Sequence, residues 1–300
     1  MTSQSPRSVQ QYLDSLRAAL SGADRALVQD ALYDAEEHLR AELAQSPDEP
    51  EAQVLERIVA SYGAPDEVAD AYRSNEVTVQ AALRTPTPVP RRSAFGRFFG
   101  VYTDPRCYLS LLYMLLALFT GMFYFTFAIT GASLSIGLAV LIIGIPFFLL
   151  FIGTARVLAL AEGRLVESML GTRMPRRPPY PDQHTPWLRR VGAMLTDPRT
   201  WGTLLYFVLM LPLGIFYFVF AVTGIVASCA IFVAPGLLLL YHLGLVEIDG
   251  IVQTPHPVLL PLISLLGILL LTVTMHLARG IGYLHGQLAK SLLVRSPRVD

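Results

Sequence analysis

Two long stretches of this chain, residues 108–153 and 201–243, contain no Asp, Glu, Lys or Arg. Each exceeds the roughly 20 apolar residues that span the hydrocarbon of a bilayer. A soluble core of this size would not hold two such runs, because soluble domains carry about 25% charged residues and this chain carries 15%. The runs predict an all-α membrane protein, since only helices and closed barrels satisfy their own backbone in lipid.

The zero net charge hides two halves of opposite sign. Residues 1–80 hold 15 acidic and 6 basic side chains, and residues 81–300 hold 8 acidic and 17 basic. The basic residues gather at the ends of the apolar runs, where they suit anionic cytoplasmic lipid. No basic, aromatic-interleaved surface marks the soluble part, so direct nucleic-acid binding is not expected. Cys107 and Cys229 lack metal-ligand spacing and read as packing residues. The first residues have no apolar h-region, so no cleavable signal peptide is expected.

Residues 1–80 predict a small soluble domain of four helices. Val9, Tyr12, Leu13, Leu16 and Leu20 recur at helical spacing, as do Leu27, Ala31, Ala35, Leu39 and Leu43; Val54, Leu55, Ile58 and Val59 form a third stripe. Gly63 and Pro65 end one helix and open the fourth, which should run to about Asn75. Residues 81–102 form a linker: Thr85 to Pro90 is Pro-rich and extended, and Arg91, Arg92 and Arg97 alternate with Phe95, Phe98 and Phe99 in a stretch suited to the membrane interface.

The membrane part is an internal repeat. Thr103-Asp104-Pro105-Arg106 returns as Thr196-Asp197-Pro198-Arg199, and Leu111-Leu112-Tyr113 as Leu204-Leu205-Tyr206, both 93 residues on. Gly121, Phe123-Tyr124-Phe125 and Thr130-Gly131 return at the same offset. Ala155-Arg156, Gly163 and Leu165 return as Ala278-Arg279, Gly286 and Leu288, but 123 residues on. The second copy therefore carries an insertion of 30 residues, within 225–257. Repeat one covers 103–175, a cytoplasmic linker 176–195, and repeat two 196–300.

Basic residues flank the runs at 91–106, 156–199 and 279–298, which places all three on the cytoplasmic side with both termini. Each copy then goes out and returns, through 108–130 and 134–153, then 201–222 and 258–277. The apolar segment 225–243 is expected to be re-entrant or externally packed, broken at Pro235-Gly236; a fifth crossing is the alternative. Asp249-Gly250 between alternating apolar residues predicts a short outer β-hairpin over 245–254. The stretches 156–170 and 279–293 are amphipathic, with Leu158, Leu165 and Met169 near one face and Arg156, Glu162, Arg164 and Glu167 mostly off it.

No GxxxxGK[ST], GxSxG, CxxC or HExxH pattern occurs. A non-enzymatic protein without a cofactor or metal is expected. Two candidate sites remain. Glu247, Asp249 and His256 are the main ionisable groups of the insertion and could meet an external ligand. Asp30, Asp34, His38 and Glu42 lie four residues apart along one helix face and could bind a partner. A solvated acidic face is the plainer reading of that row. His242 and His276 lie near the membrane ends, close enough to reach water.

The repeat, with its DPR start, LLY, GxFYF centre and ATG-like close, resembles the membrane sensor domain of bacterial signalling proteins, a duplicated transmembrane unit found before histidine kinases. YLDSLRAAL, DAEEHLRAEL and YGAPDEVADAY in residues 8–75 resemble a HAAS signalling domain. The resemblance implies an inner-membrane sensor and a link with PadR-type regulators. No kinase half follows within these residues, so output is expected through the N-terminal domain or a separate partner. The expected function is coupling of a membrane or envelope signal to a cytoplasmic regulator. The alternative is an accessory subunit of a transport or export system, with a transporter subunit as partner. The bilayer is a partner in either case, and a homo-oligomer is compatible with both.

Overall fold

The computed structural model describes residues 6–47, 49–83, 93–141, 144–175, 192, 196–246 and 255–294. Among these residues the regular structure is helical: α1 Val9–Ala19, α2 Arg25–Gln45, α3 Glu51–Tyr62, α4 Pro65–Leu83, α5 Ala94–Phe98, α6 Pro105–Gly137, α7 Gly144–Leu170, α8 Pro198–His242 and α9 Leu260–Leu293. Short 3-10 turns occupy Phe99–Thr103, Leu138–Val140 and Pro257–Leu259. The chain divides into two compact units, one of Met1–Arg84, Gly131–Tyr206 and Gln287–Asp300, the other of Thr85–Thr130 and Phe207–Gly286.

In unit one the N-terminal helices close around Tyr12, Leu16 and Leu20 of α1 and its C-cap, Ala31, Ala35 and Leu39 of α2, and Val54, Leu55 and Ile58 of α3. These are the stripes the sequence spacing picks out, and Leu43 and Val59 lie partly buried at their edge. Each fully buried Leu or Ile contributes about 1.5–3 kcal/mol. Ser8 and Asp24 cap α1 and α2 by accepting from the amides of Gln11 and Ala26. Gly63 stops α3 with a φ of +110°, and Glu67 then accepts from the Ala64 amide at 3.0 Å as α4 begins. The Tyr12 hydroxyl donates to the Gly63 carbonyl at 2.9 Å, tying α1 to that turn. The fourth helix continues eight residues past the expected Asn75, to Leu83.

Four helices, α6, α7, α8 and the segment Pro257–Leu293 that contains α9, are long and apolar enough to cross a membrane. The surprise is α8. Its 45 residues form one helix through both Pro212 and Pro235, about 67 Å at 1.5 Å per residue. The segment 225–243 is thus the continuation of the preceding helix, neither a re-entrant loop nor a separate fifth crossing. In apolar surroundings an interrupted helix leaves backbone groups unbonded, so α8 runs past Pro235-Gly236 where an aqueous loop would break. The amphipathic stretches after the return crossings likewise belong to α7 and α9 themselves. No strand occurs among the described residues; of the β-hairpin expected over 245–254, Leu245 and Val246 are not in a strand and 247–254 lie outside the described residues, so the hairpin is not supported.

The repeated motifs perform repeated jobs. Asp104 accepts from the Arg106 amide at 3.1 Å and Asp197 from the Arg199 amide at 3.0 Å, each capping a helix that opens with Pro. Asp104 also pairs with Arg279 at 2.8 Å in unit two, and Asp197 with Arg156 at 3.7 Å in unit one. The aspartate of each copy thus holds the arginine of the other. In unit two a Cβ at Gly121 would run into the carbonyl of Met210, and one at Gly214 into the carbonyl of Ala117. The absent side chains let the α6 and α8 backbones touch. Tyr124 stacks on Phe207 with ring centroids 4.7 Å apart. Later residues of α6 thus meet earlier residues of α8, so the two helices run antiparallel where they touch. Two crossings that leave the same membrane face would run parallel.

Candidate functional site

Two groups of buried polar side chains stand out in a chain otherwise packed with apolar ones. The first, in unit one, centres on Arg173. Gly171, at a φ of +69°, turns the chain at the end of α7. The turn carries Arg173 into a buried position where its guanidinium meets three carboxylates: Asp30 of α2 at 3.2 Å, Glu76 of α4 at 3.3 Å and Glu167 of α7 at 3.2 Å. It also donates to the Met174 carbonyl at 2.9 Å. All four charged side chains are at most 9% exposed. Burial works against the guanidinium's charge, but the carboxylates of Glu76, Asp30 and Glu167 outweigh it and raise its pKa above the usual value. The planar fork spreads five donors over three nitrogens, a wider reach than the three donors on a lysine's single nitrogen. Lys290, near the end of α9, adds a second tie to the N-terminal helices by pairing with Asp24. The N-terminal helices are therefore joined to the ends of two of the long apolar helices by buried or half-buried charge.

The second group lies on the buried faces of the return helices. In unit two, His285 of α9 sits between two phenols: the Tyr113 hydroxyl of α6 lies 2.6 Å from Nε2 and the Tyr217 hydroxyl of α8 lies 3.1 Å from Nδ1. The imidazole is 1% exposed. In unit one, the Tyr206 hydroxyl of α8 donates to Glu162 of α7 at 2.9 Å, and Glu162 is wholly buried. Tyr113 and Tyr206 are counterparts in the repeat, and so are Glu162 and His285. Each copy's return helix therefore presents one ionisable group at the same buried position, and each is held by the tyrosine of the other copy's first helix.

The acidic row on α2 is placed as follows. Asp30 lies in the Arg173 cluster. Asp34 accepts from the Tyr72 hydroxyl at 2.9 Å, and His38 stacks on Tyr62 with centroids 4.4 Å apart. Glu42 is half-exposed. Burial first, and the Asp34 hydrogen bond second, raise the Tyr72 phenol above its ordinary pKa. Burial raises the Tyr12 phenol in the same way, helped by Tyr62 and Glu67. Of the insertion residues, Glu247 and Asp249 lie outside the described residues. His256 is exposed, and its Nδ1 accepts from the Val258 amide at 3.4 Å, capping the following turn. His276 meets the Phe98 carbonyl through Nε2 at 2.8 Å, anchoring α5 in unit two. His242 contacts the Leu238 carbonyl one turn back at 2.7 Å.

Arg173 and His285 were not among the candidates from the sequence, and Glu162 and Glu167 lie buried rather than off the apolar face. A usable signal existed for two of them. Ala155, Ala159, Glu162, Val166 and Met169 form the buried stripe of α7, and Ala278, His285, Ala289 and Leu293 that of α9. An ionisable residue at the same place in both stripes could be read from the repeat register alone. Arg173 had no comparable signal, because its partners on the N-terminal helices lie 97 and 143 residues away.

The family described as "Putative sensor" matches residues 113–293, and the HAAS family matches residues 11–71. No curated protein and no solved structure matches the chain.

Proposed function

Since the chain belongs to the "Putative sensor" family and carries a HAAS domain ahead of it, we propose that it is a non-enzymatic membrane sensor whose HAAS domain passes the signal to a cytoplasmic regulator. A role in membrane signalling fits both domains and the four apolar helices. The Arg173 cluster carries the finer reading. It joins α2 and α4 of the HAAS domain to the end of α7, so a shift of that helix would be felt where a regulator could bind. The half-exposed end of the acidic row, at Glu42, and the outer residues Glu247, Asp249 and His256 remain the proposed contact points for partner and external signal. The basic residues flanking the apolar runs support a bacterial inner-membrane location with both termini in the cytoplasm. Affinity capture of the full-length protein from its own membrane tests the reading. A cytoplasmic regulator should co-purify, and Arg173→Met should weaken or deregulate the association. Absence of any such partner, together with unchanged transcription in a deletion strain, would overturn it.

The antiparallel contact between α6 and α8 favours a second reading, as part of a transport system, because inverted repeats build many transporters. The two readings differ in topology. In a background lacking Cys107 and Cys229, cysteines replacing Thr103 and Thr196 should label from one side if the charges govern orientation. They should label from opposite sides if the antiparallel contact does. Loss of substrate flux without transcriptional change would favour transport.

A further inference from the structure

We propose that residues 98–107 form a strap that couples the HAAS domain to α9. In unit two this segment, which runs from the end of α5 into the first turn of α6, is fastened along α9 by polar bonds. The Tyr102 hydroxyl lies 2.9 Å from the Thr272 hydroxyl and 3.4 Å from the Ile268 carbonyl. Thr272 gives its own hydrogen to the Ile268 carbonyl at 2.8 Å, so it accepts from Tyr102. His276 donates from Nε2 to the Phe98 carbonyl at 2.8 Å, and its ring stacks on Phe98 with centroids 5.6 Å apart. Arg279 pairs with Asp104 at 2.8 Å, and Cys107 donates its S–H to the Met275 carbonyl at 3.1 Å. Val101, Cys107 and Met275 form a small buried core beneath these bonds.

The strap residues of α9 form a stripe. Ile268, Thr272, Met275 and Arg279 follow one another at helical spacings of four, three and four, so they share one face. Lys290 comes eleven residues after Arg279, three turns to within about 20°, and therefore lies on that face too. In unit one it pairs with Asp24 at the start of α2. Gly267 and Thr274, which pack on Phe232 and Gly224 of α8, lie on a different face. One side of α9 thus serves α8, and another carries both the strap and the tie to the HAAS domain. Along the chain, the ten residues 84–93 connect the end of α4 to α5, a length that reaches at most about 36 Å. The HAAS domain is therefore held to α9 twice, through Lys290 and through the strap. Two links in one molecule raise each other's effective concentration, so loosening either one loosens the other.

The duplication separates the strap from the shared scaffold. The aspartate–arginine pair occurs in both copies, as Asp104 with Arg279 and Asp197 with Arg156. The Tyr102 and His276 bonds have no such twin. At the register positions of Tyr102, Thr272 and His276 the sequence holds Leu195, Leu149 and Gly153, whose side chains cannot make them. These two bonds therefore belong to the segment that leads in from the HAAS domain. The inference rests on the sensor reading only for its biological use: a displacement of α9 would reach the HAAS domain by this route, as one of α7 would through Arg173.

Hydrogen exchange on the full-length protein in nanodiscs of neutral lipid tests the coupling. Tyr102→Phe combined with His276→Leu removes the two unshared bonds. The amides of residues 99–104 should then exchange at least five-fold faster, and so should those of Ala26 and Val28, which bond to Asp24. A faster strap with Ala26 and Val28 unchanged overturns the coupling, and an unchanged strap overturns the strap itself. The amides of Val54 to Ile58 in α3 serve as reference. Should they accelerate as much as Ala26 and Val28, or should the helical circular dichroism be lost, the reverse variant decides. Lys290→Met leaves every strap residue in place, and it should speed exchange at 99–104 at least five-fold; no change there overturns the coupling. The readout needs no partner protein, so its failure leaves the signalling reading intact, and failure to capture a regulator leaves the coupling intact.

Discussion

Replacing Arg173 by Met removes the guanidinium that Asp30, Glu76 and Glu167 share while leaving the volume nearly filled. Deleting one partner of a buried ion pair costs about 3–5 kcal/mol, because the remaining charge stays desolvated. Here three carboxylates lose their shared counter-ion, and each is at most 8% exposed, so the upper half of that range is expected. The cheapest escape is for the carboxylates of α2 and α4 to reach water by parting from the end of α7. The observable is then local opening, and 3–5 kcal/mol corresponds to roughly a hundred- to several-thousand-fold faster amide exchange around residues 27–33 and 165–174. Hydrogen exchange on the full-length protein in nanodiscs measures this. Arg173→Lys should fall between, since its three donors sit on one nitrogen whereas the carboxylates meet three different nitrogens of the guanidinium. Combining Arg173→Met with Asp30→Asn, Glu76→Gln and Glu167→Gln should recover most of the loss, as neutral groups of similar shape carry no ionic desolvation. A change below about five-fold for Arg173→Met, or no recovery in the combined variant, would refute the assignment of the cluster as the joint.

At the α6–α8 contact, Gly121→Ile should cost at least 1–3 kcal/mol, because the added carbons meet the Met210 backbone; thermal unfolding should show it, and Gly137→Ala, with open space around it, should serve as a silent control. In the HAAS domain, Tyr72→Phe removes the bond to Asp34 and should destabilise by about 1–3 kcal/mol, measured by denaturant unfolding. The raised phenols of Tyr12 and Tyr72 keep their protons when folded and release them above about pH 10 when unfolded. Their contribution is therefore complete below that pH and is lost as pH rises beyond it, so an alkaline titration should unfold the domain at higher pH in Tyr72→Phe relative to its own neutral stability. Gly63→Ala should cost about 1–3 kcal/mol, because its φ of +110° disfavours a side chain; stability that is unchanged would count against the turn.

Local and periodic features were legible in the sequence. The stripes of α1 to α3, the Gly63–Pro65 break and the Asp-Pro helix starts depend on neighbours within one or two turns, and each appears where the spacing puts it. The length of α8 was misread, because Pro235-Gly236 signals a break in water and the signal loses force where no water can take over the freed backbone bonds. The acidic row on α2 was read by one-helix geometry as a solvated or partner-binding face. Three of its four members instead meet side chains of other elements, Arg173, Tyr72 and Tyr62, and helical periodicity contains no information about what a face meets.

The duplication itself sorts scaffold from function. Where both copies keep the same residues, they make the same structural contact: aspartate caps and pairs with arginine, glycine admits the opposite backbone, and Ser135 and Ser228 donate to the carbonyls of Gly131 and Gly224. These contacts hold helices together and need no difference between the copies. Where the copies diverge at an equivalent buried place, packing alone gives no reason for the choice of residue. Glu162 and His285 occupy one such place, a carboxyl in one copy and an imidazole in the other. Arg173, whose cluster follows α7 and joins the HAAS domain to the first copy, has Ser296 at its register position in the second. A symmetric pair of hairpins would respond to a stimulus equally on both sides and give the attached domain no preferred direction to move. In the proposed sensor, unequal buried groups and a joint centred on one copy would supply that direction. Exchanging the two groups, Glu162→His with His285→Glu, should preserve the helical circular dichroism and change amide exchange around residues 27–33, at the joint; exchange identical to the parent protein would mean that the choice of residue at this place is indifferent.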